Sequence, residues 1–491
     1  MDQNSPTHPS IQPLNGYPFT FSKIRLVLLK YIILFMLGIS FSLSGCSFQQ
    51  YHAKPINQAA INARLQAKDP SGPQFRQYLI DNGYPTENLP IKRWGLEELV
   101  YAALFFNPDL DVARSQWRAA ESAKATAAIR NIPTVSGNIA HSNQANGDIR
   151  PYALGLSIDI PIETANKRNI RIDSAVHLSE IAKLEIAQAA WQLRNQITET
   201  FYAYQLNQKL IGLLESEKTS HLEVVAIYQK RLSLGAASNI ELSTAKLQLL
   251  TSQSELSAKQ QDKLTLLATL ASNLGLPLAK VQSMNLAQSF TIKPVVLHSS
   301  DMQTSALLNR LDIRIALQRY AVAEEKVRLE IAKQYPDISL NPGYAYEFGD
   351  KIWSLGFSGL LSLLNKNKAP LAEAVKLREV EEAKFQALQT KVITEASIAN
   401  SQLNQAQQSL LNQEQLRDQQ LLSVKRTQRR LAAGDADRLE IVFSRLESSA
   451  AEKNVLIAQA QQLIALTRLE NALQQPLLQA DTSLIQPASK N

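Results

Sequence analysis

Residues 231–241 read RLSLGAASNIE, and 199 positions later (430 − 231) residues 430–440 read RLAAGDADRLE. The shared frame is Arg231-Leu232-x-x-Gly235 against Arg430-Leu431-x-x-Gly434. The same offset relates Glu241 to Glu440, Lys246 to Arg445 and Pro277-Leu278 to Pro476-Leu477. Upstream the offset becomes 201, from Leu110-Asp111 to Leu311-Asp312 and from Leu154-Gly155 to Leu355-Gly356. Chance does not hold register over so many landmarks, so the chain is an internal duplication. Ile197-Thr198-Glu199 against Ile393-Thr394-Glu395 falls at 196 and is set aside as coincidence or a local shift.

Outward from the two glycines the pattern is helical on both sides. Between Pro370 and Gln475 there is no internal proline and one glycine, Gly434. Proline in a first turn and glycine just past the end are helix boundary signals. A helix of roughly 60 residues there reaches on the order of 90 Å. Its apolar positions Leu388, Val392, Ala396, Ala399, Leu403, Ala406 and Leu410 are spaced by threes and fours, which is a coiled-coil packing seam.

Ahead of each long helix the periodicity changes to strict alternation. Tyr152, Leu154, Leu156, Ile158, Ile160 and Ile162 alternate with Ala153, Gly155, Ser157, Asp159 and Pro161. Trp353, Leu355, Phe357, Gly359, Leu361 and Leu363 do the same against small residues, and Ile338 to Phe348 alternates equally well. Pro133 to Ser142 is a weaker version. The turn chemistry of Asn146-Gly147 and Gly349-Asp350 joins these strands into two hairpins. Strands of about 10 residues fit a tilted outer-membrane strand. A soluble sandwich alternates too, but Tyr344, Tyr346, Phe348 and Trp353 resemble an interfacial aromatic girdle.

Near the start, Lys23, Arg25 and Lys30 precede an uncharged run, Tyr31 to Ser42, that ends in Leu43-Ser44-Gly45-Cys46. This is a secretory leader. A single membrane anchor is the alternative, but about 12 uncharged residues fall short of the roughly 20 needed to span. The tetrad resembles the lipobox of bacterial lipoproteins, in which the cysteine carries the lipid, and Ser47 then implies the outer membrane. Cys46 is the only cysteine, so no internal disulfide is available.

The expected organisation is a signal peptide at 1–45, a lipid-anchored linker at 46–95, repeat 1 at 96–281, a linker at 282–303, repeat 2 at 304–480 and a tail at 481–491. Repeat 1 holds a hairpin at 133–162 and long helices at 168–233 and 239–274; repeat 2 holds a hairpin at 336–363 and helices at 370–431 and 437–474. The fold class is mainly α with a membrane β part. Four strands do not close a barrel, because small barrels need about eight, so several chains share one.

Chemistry-bearing groups are sparse. The six histidines stand at 8, 52, 141, 177, 221 and 298, none at metal-ligand spacing. There is no phosphate-binding glycine loop and no catalytic constellation. The net charge of +7 is spread over helices that also carry acids, which speaks against nucleic acid. No metal and no cofactor beyond a covalent lipid on Cys46 is expected, and the chain is not expected to be an enzyme.

Residues 95 to 480 resemble the TolC-like outer-membrane efflux proteins, in their lipoprotein branch. The resemblance rests on the two Arg-Leu-x-x-Gly tips, the two hairpins, the paired Leu-Asp landmarks and Pro277/Pro476. It implies a homotrimer with a twelve-stranded barrel in outer-membrane lipid and an α-helical barrel through the periplasm. The partners it implies are a periplasmic adaptor and an inner-membrane pump, here of the resistance-nodulation-division type. Arg231, Gly235, Arg430 and Gly434 become hairpin tips and adaptor contacts, and Glu440, with Asp435 and Asp437, the periplasmic gate. Phe443 stands where some members carry a second carboxylate. Read from the residues alone, the three acids also suit the start of a helix, with Asp437 as its cap. The expected function is the passive exit duct of a tripartite efflux system. The alternatives are the exit duct of a type I secretion system and an adaptor or structural coiled-coil lipoprotein.

Overall fold

The computed structural model describes residues 49–143, 150–288, 307–359 and 366–477. The leader, Cys46, the Asn146-Gly147 turn, Leu361, Leu363 and the 481–491 tail lie outside the described residues. The chain divides into two units, Met1–Asn62 and Ala63–Asn491. In the first, residues 49–57 are exposed and irregular and lead into helix α1 (Gln58–Gln66). The second takes in the end of α1 and continues with α2 (Pro73–Asp81). Repeat 1 follows as α3 (Leu96–Phe106), α4 (Pro108–Ala127), β1 (Thr134–His141), β2 (Tyr152–Ile162), α5 (Lys167–Ser233), α6 (Asn239–Leu274) and α7 (Leu278–Gln282). Repeat 2 contributes α8 (Leu311–Ala332), β3 (Ile338–Glu347), β4 (Asp350–Gly359), α9 (Lys368–Ala432) and α10 (Arg438–Leu473).

The two hairpins form one antiparallel sheet in the order β1-β2-β3-β4. Val135 lies opposite Ile158, Leu156 opposite Tyr344 and Tyr344 opposite Trp353, so the alternating apolar positions fall on one face, with Ile352 on the other opposite Ala345. On the other face Ser136, Ser157, Gly343 and Ser354 make one line across the four strands. The second turn differs from expectation by one residue. Glu347 pairs with Asp350, so the loop is Phe348-Gly349, with φ of +53° and +121°. Positive φ at both loop positions matches the twist of an antiparallel pair. Asp350 is therefore the first residue of β4, and Phe348 leaves the strand alternation.

Just before each long helix stand two non-glycine residues of left-handed backbone, Ala165-Asn166 and Lys366-Asn367. The next residue in repeat 1, Lys167, is buried and donates to the Tyr335 carbonyl and to Asp337, both at 2.7 Å. That lysine ties the start of α5 to the foot of β3 in the other repeat.

The helices assemble through small-residue seams. Val392, Ala396, Ala399 and Leu403 of α9 are buried against Ala465, Leu466, Leu469 and Leu473 of α10. Residues 63–95, expected as linker, are folded instead: Phe75, Leu79, Tyr84 and Trp94 are buried in one cluster with α3, α5 and α6. Trp94 makes a parallel bridge to Leu286, in the other expected linker. Pro73 opens α2, the other prolines there lie in turns and irregular backbone, and the aromatics among them cover a helical groove.

Between the repeats lies a buried polar network. Arg194 of α5 pairs with Glu470 of α10 at 3.3 Å, and Glu470 is 0% exposed. Asn471 accepts from Trp191 at 3.0 Å and from Asn195 at 2.8 Å. Replacing one partner leaves the other charge buried, which costs about 3–5 kcal/mol. Arg194→Met is expected to lose that much in denaturant unfolding of the purified protein in detergent, and Arg194→Met with Glu470→Gln to recover most of it.

Candidate functional site

The two helical hairpins end in tips of the same construction. At the first, Gly235 has φ +70° and the Ala236 N–H returns to the Arg231 carbonyl at 2.8 Å. At the second, Gly434 has φ +80° and the Asp435 N–H returns to the Arg430 carbonyl at 2.8 Å. This left-handed helix stop favours glycine because a β-carbon there meets the following carbonyl. The outgoing helices are then capped by side chains. Ser238 accepts from the Glu241 N–H at 3.2 Å while Glu241 returns to the Ser238 N–H at 2.7 Å. The Ser238 backbone N–H and hydroxyl hold the Glu241 carboxyl below its ordinary value. In the second tip Asp437 is the cap and accepts from the Leu439 N–H at 3.4 Å.

Two of the three acids expected as a gate are paired within the chain. Glu440 pairs with Arg430, and Asp437 pairs with Arg231 of the other repeat. Arg430 also donates to the backbone carbonyl of Asp435 at 3.0 Å. Sequence reading names all of these residues without their partners. It misses the further bond from Arg438 to Glu223 at 2.8 Å, whose residues are 215 positions apart. Beneath these charges Val224 and Val225 of α5 pack on Leu439, Ile441 and Val442 of α10. A turn or two above, burial pushes the His221 imidazole below its ordinary value, against the pull of Glu217.

The sheet carries the second part of the site. Tyr344 and Trp353 have ring centroids 4.7 Å apart on the apolar face, where Leu355 and Phe357 are also exposed. β1 and β4 are edges, each with one side of its backbone unpaired in the sheet. Among the described residues no helix is long and apolar enough to cross a membrane, and no three His, Cys, Asp or Glu side chains are placed to hold a metal ion.

Two strand hairpins in a single sheet, continued by two helical hairpins, define a duplicated channel-type architecture. Residues 99–276 match the outer membrane efflux protein family. The chain is 23% identical over 256 residues to the cobalt-zinc-cadmium resistance protein CzcC of Cupriavidus metallidurans, a match covering 50% of this chain and 59% of that protein. It is 24% identical over 354 residues to the solvent efflux pump outer membrane protein SrpC of Pseudomonas putida, covering 68% and 73%. In fold it is similar to the outer membrane protein VceC of Vibrio cholerae, with a TM-score of 0.64 at 18% identity over 77% of this chain and 95% of that one. The chain is thus similar to the outer membrane efflux protein family over residues 99–276 and shares the fold of solved outer-membrane channels. That is a family of outer-membrane efflux channels, not of enzymes.

Because the tip ion pairs are exposed, each contributes at most about 1 kcal/mol to stability, whereas an alanine in left-handed backbone costs about 1–2 kcal/mol. Gly434→Ala is therefore expected to speed amide hydrogen exchange at 430–440 more than Glu440→Ala does.

Proposed function

We propose that the chain is the exit duct of a tripartite efflux system, assembled as a trimer in outer-membrane lipid and anchored there by an acylated Cys46. The observation that carries this reading is the four-stranded sheet with one continuous apolar face, one polar face and two unpaired edges. In hydrocarbon an unpaired strand edge is not tolerated, so the edges must meet other strands. Two chains would give eight strands, a barrel whose interior side chains fill; three give twelve and leave a lumen. The line of Ser136, Ser157, Gly343 and Ser354 then faces water, and Tyr344, Trp353, Leu355 and Phe357 face lipid.

On this reading the helices continue the duct, and the tips meet a periplasmic adaptor and an inner-membrane pump of the resistance-nodulation-division type. Arg231, Gly235, Arg430 and Gly434 form the adaptor contact, and Glu440, Asp435 and Asp437 the constriction. Since Glu440 and Asp437 are held by arginines, the constriction opens by exchanging ion pairs. The relatives are named for metal ions in one case and solvent in another, which fits a duct whose cargo is chosen by its pump.

The duplication also gives the strand register between copies. Ala153 faces Ala140 as its counterpart Ser354 faces Gly343, so Ala140 and Gly343 are equivalent. Ser157 is equivalent to Ser358, and Ser157 pairs with Gly343 inside the chain. Ser358 of one copy therefore faces Ala140 of the next. Oxidation of a Ser358→Cys, Ala140→Cys variant is expected to give interchain-linked dimers and trimers, with channel conductance from the unlinked protein in planar bilayers. Monomers without conductance would remove the duct reading.

A further inference from the structure

Where α5 and α10 meet inside the chain, the apolar strip of Val224, Val225, Leu439, Ile441 and Val442 is flanked by polar bridges between the repeats. Besides Arg231 with Asp437 and Arg438 with Glu223, Ser449 donates to Glu217 at 2.8 Å. In a closed ring of duplicated chains, the contact of repeat 1 with repeat 2 recurs between repeat 2 of one copy and repeat 1 of the next. There α9 takes the part of α5, and α6 the part of α10. The 199-residue offset holds along this stretch. It relates Arg231 to Arg430, Glu241 to Glu440 and Lys246 to Arg445.

Carried through that offset, the polar contacts change character. Glu217 and Ser449 become Leu416 and Leu250. Arg438 and Glu223 become Asn239 and Leu422, and Asp437 becomes Ser238. Not one ion pair survives. The leucines that replace these groups are exposed in the single chain, as is Ile240 at 78%, although its counterpart Leu439 is 8% exposed against α5. Exposed leucines at the positions where the other repeat has its bridging acids are unexplained in a solitary chain and accounted for by a second copy.

Resting on the shared-barrel reading, we infer that the helical part of the assembly has two unlike seams: one inside each chain, between α5 and α10, whose apolar strip is flanked by ion pairs, and one between copies, where α9 of one copy packs on α6 of the next, flanked by leucines instead. Leu416 meets Leu250 of the next copy, and Leu422 lies against the start of its α6, beside Asn239 and Ile240. The two seams answer to different conditions. Salt screens exposed ion pairs and leaves apolar burial intact, so high salt weakens the tip bridges within each chain and spares the leucine contacts between chains.

The test is oxidation of the full-length protein carrying Leu250→Cys with Leu416→Cys, beside the Ser358→Cys, Ala140→Cys protein. The expected result is a dimer and trimer ladder from both double variants and from neither helical single variant. If the strand pair links and the helical pair does not, the seam between copies is overturned while the shared barrel stands. If neither links, both fall. As a second measurement, Leu416→Glu is expected to cut the trimer fraction at least tenfold, and adding Leu250→Lys to restore it at low salt only. Full trimer with Leu416→Glu alone would overturn the seam.

Discussion

Because β2 hydrogen-bonds to β3, the two hairpins of the chain form one sheet with one register instead of two separate ribbons. Everything else is arranged around that pairing. It sets Leu154 opposite Tyr346 and Leu156 opposite Tyr344, which brings the apolar sides of both hairpins to the same face. A slip of one residue would send half of those side chains to the polar face. The pairing leaves β1 and β4 at the edges of the sheet. At its foot the buried Lys167 holds the two repeats together through Tyr335 and Asp337.

The long helices solve a different problem. A helix of 67 residues cannot rely on its own propensity and is stable only where a face is buried along its length. In repeat 2 the buried face is built from alanines and a few larger residues, which lets α9 and α10 approach closely. In repeat 1 the upper part of the groove is covered by Phe75, Leu79 and Trp94 from the segment that precedes the repeat. The repeats are thus alike at the tips and unlike near the N-terminal segment, where Glu470 and Asn471 stand in place of Ala271 and Ser272. Buried charge is placed where the two halves meet, and it fixes their relation more than it adds stability.

Much of this is legible along the chain. Alternation at 152–162 and 338–346 marks the strands and their faces, and the threes-and-fours spacing from Leu388 to Leu410 marks the seam of α9. The second turn is not legible to the residue. Gly349-Asp350 has familiar turn chemistry, and Phe348 in left-handed backbone is uncommon, but the pairing of Tyr346 with Lys351 decides the register. Arg231, Arg430, Asp437 and Glu440 are all visible as charged residues near the tips. Which acid each arginine holds is not, since Arg231 finds its partner 206 positions away and Arg430 only 10.

By itself the sequence determined the duplication, the type and order of the long elements, the polar and apolar sides of the strands and the family resemblance, because all of these are periodic or local. Tertiary structure alone decided that the hairpins join through β2 and β3, that residues 63–95 close a helical groove, and that Asp437 and Glu440 are paired. Those outcomes rest on contacts between residues far apart in the chain, and no local periodicity encodes which distant residue a side chain meets.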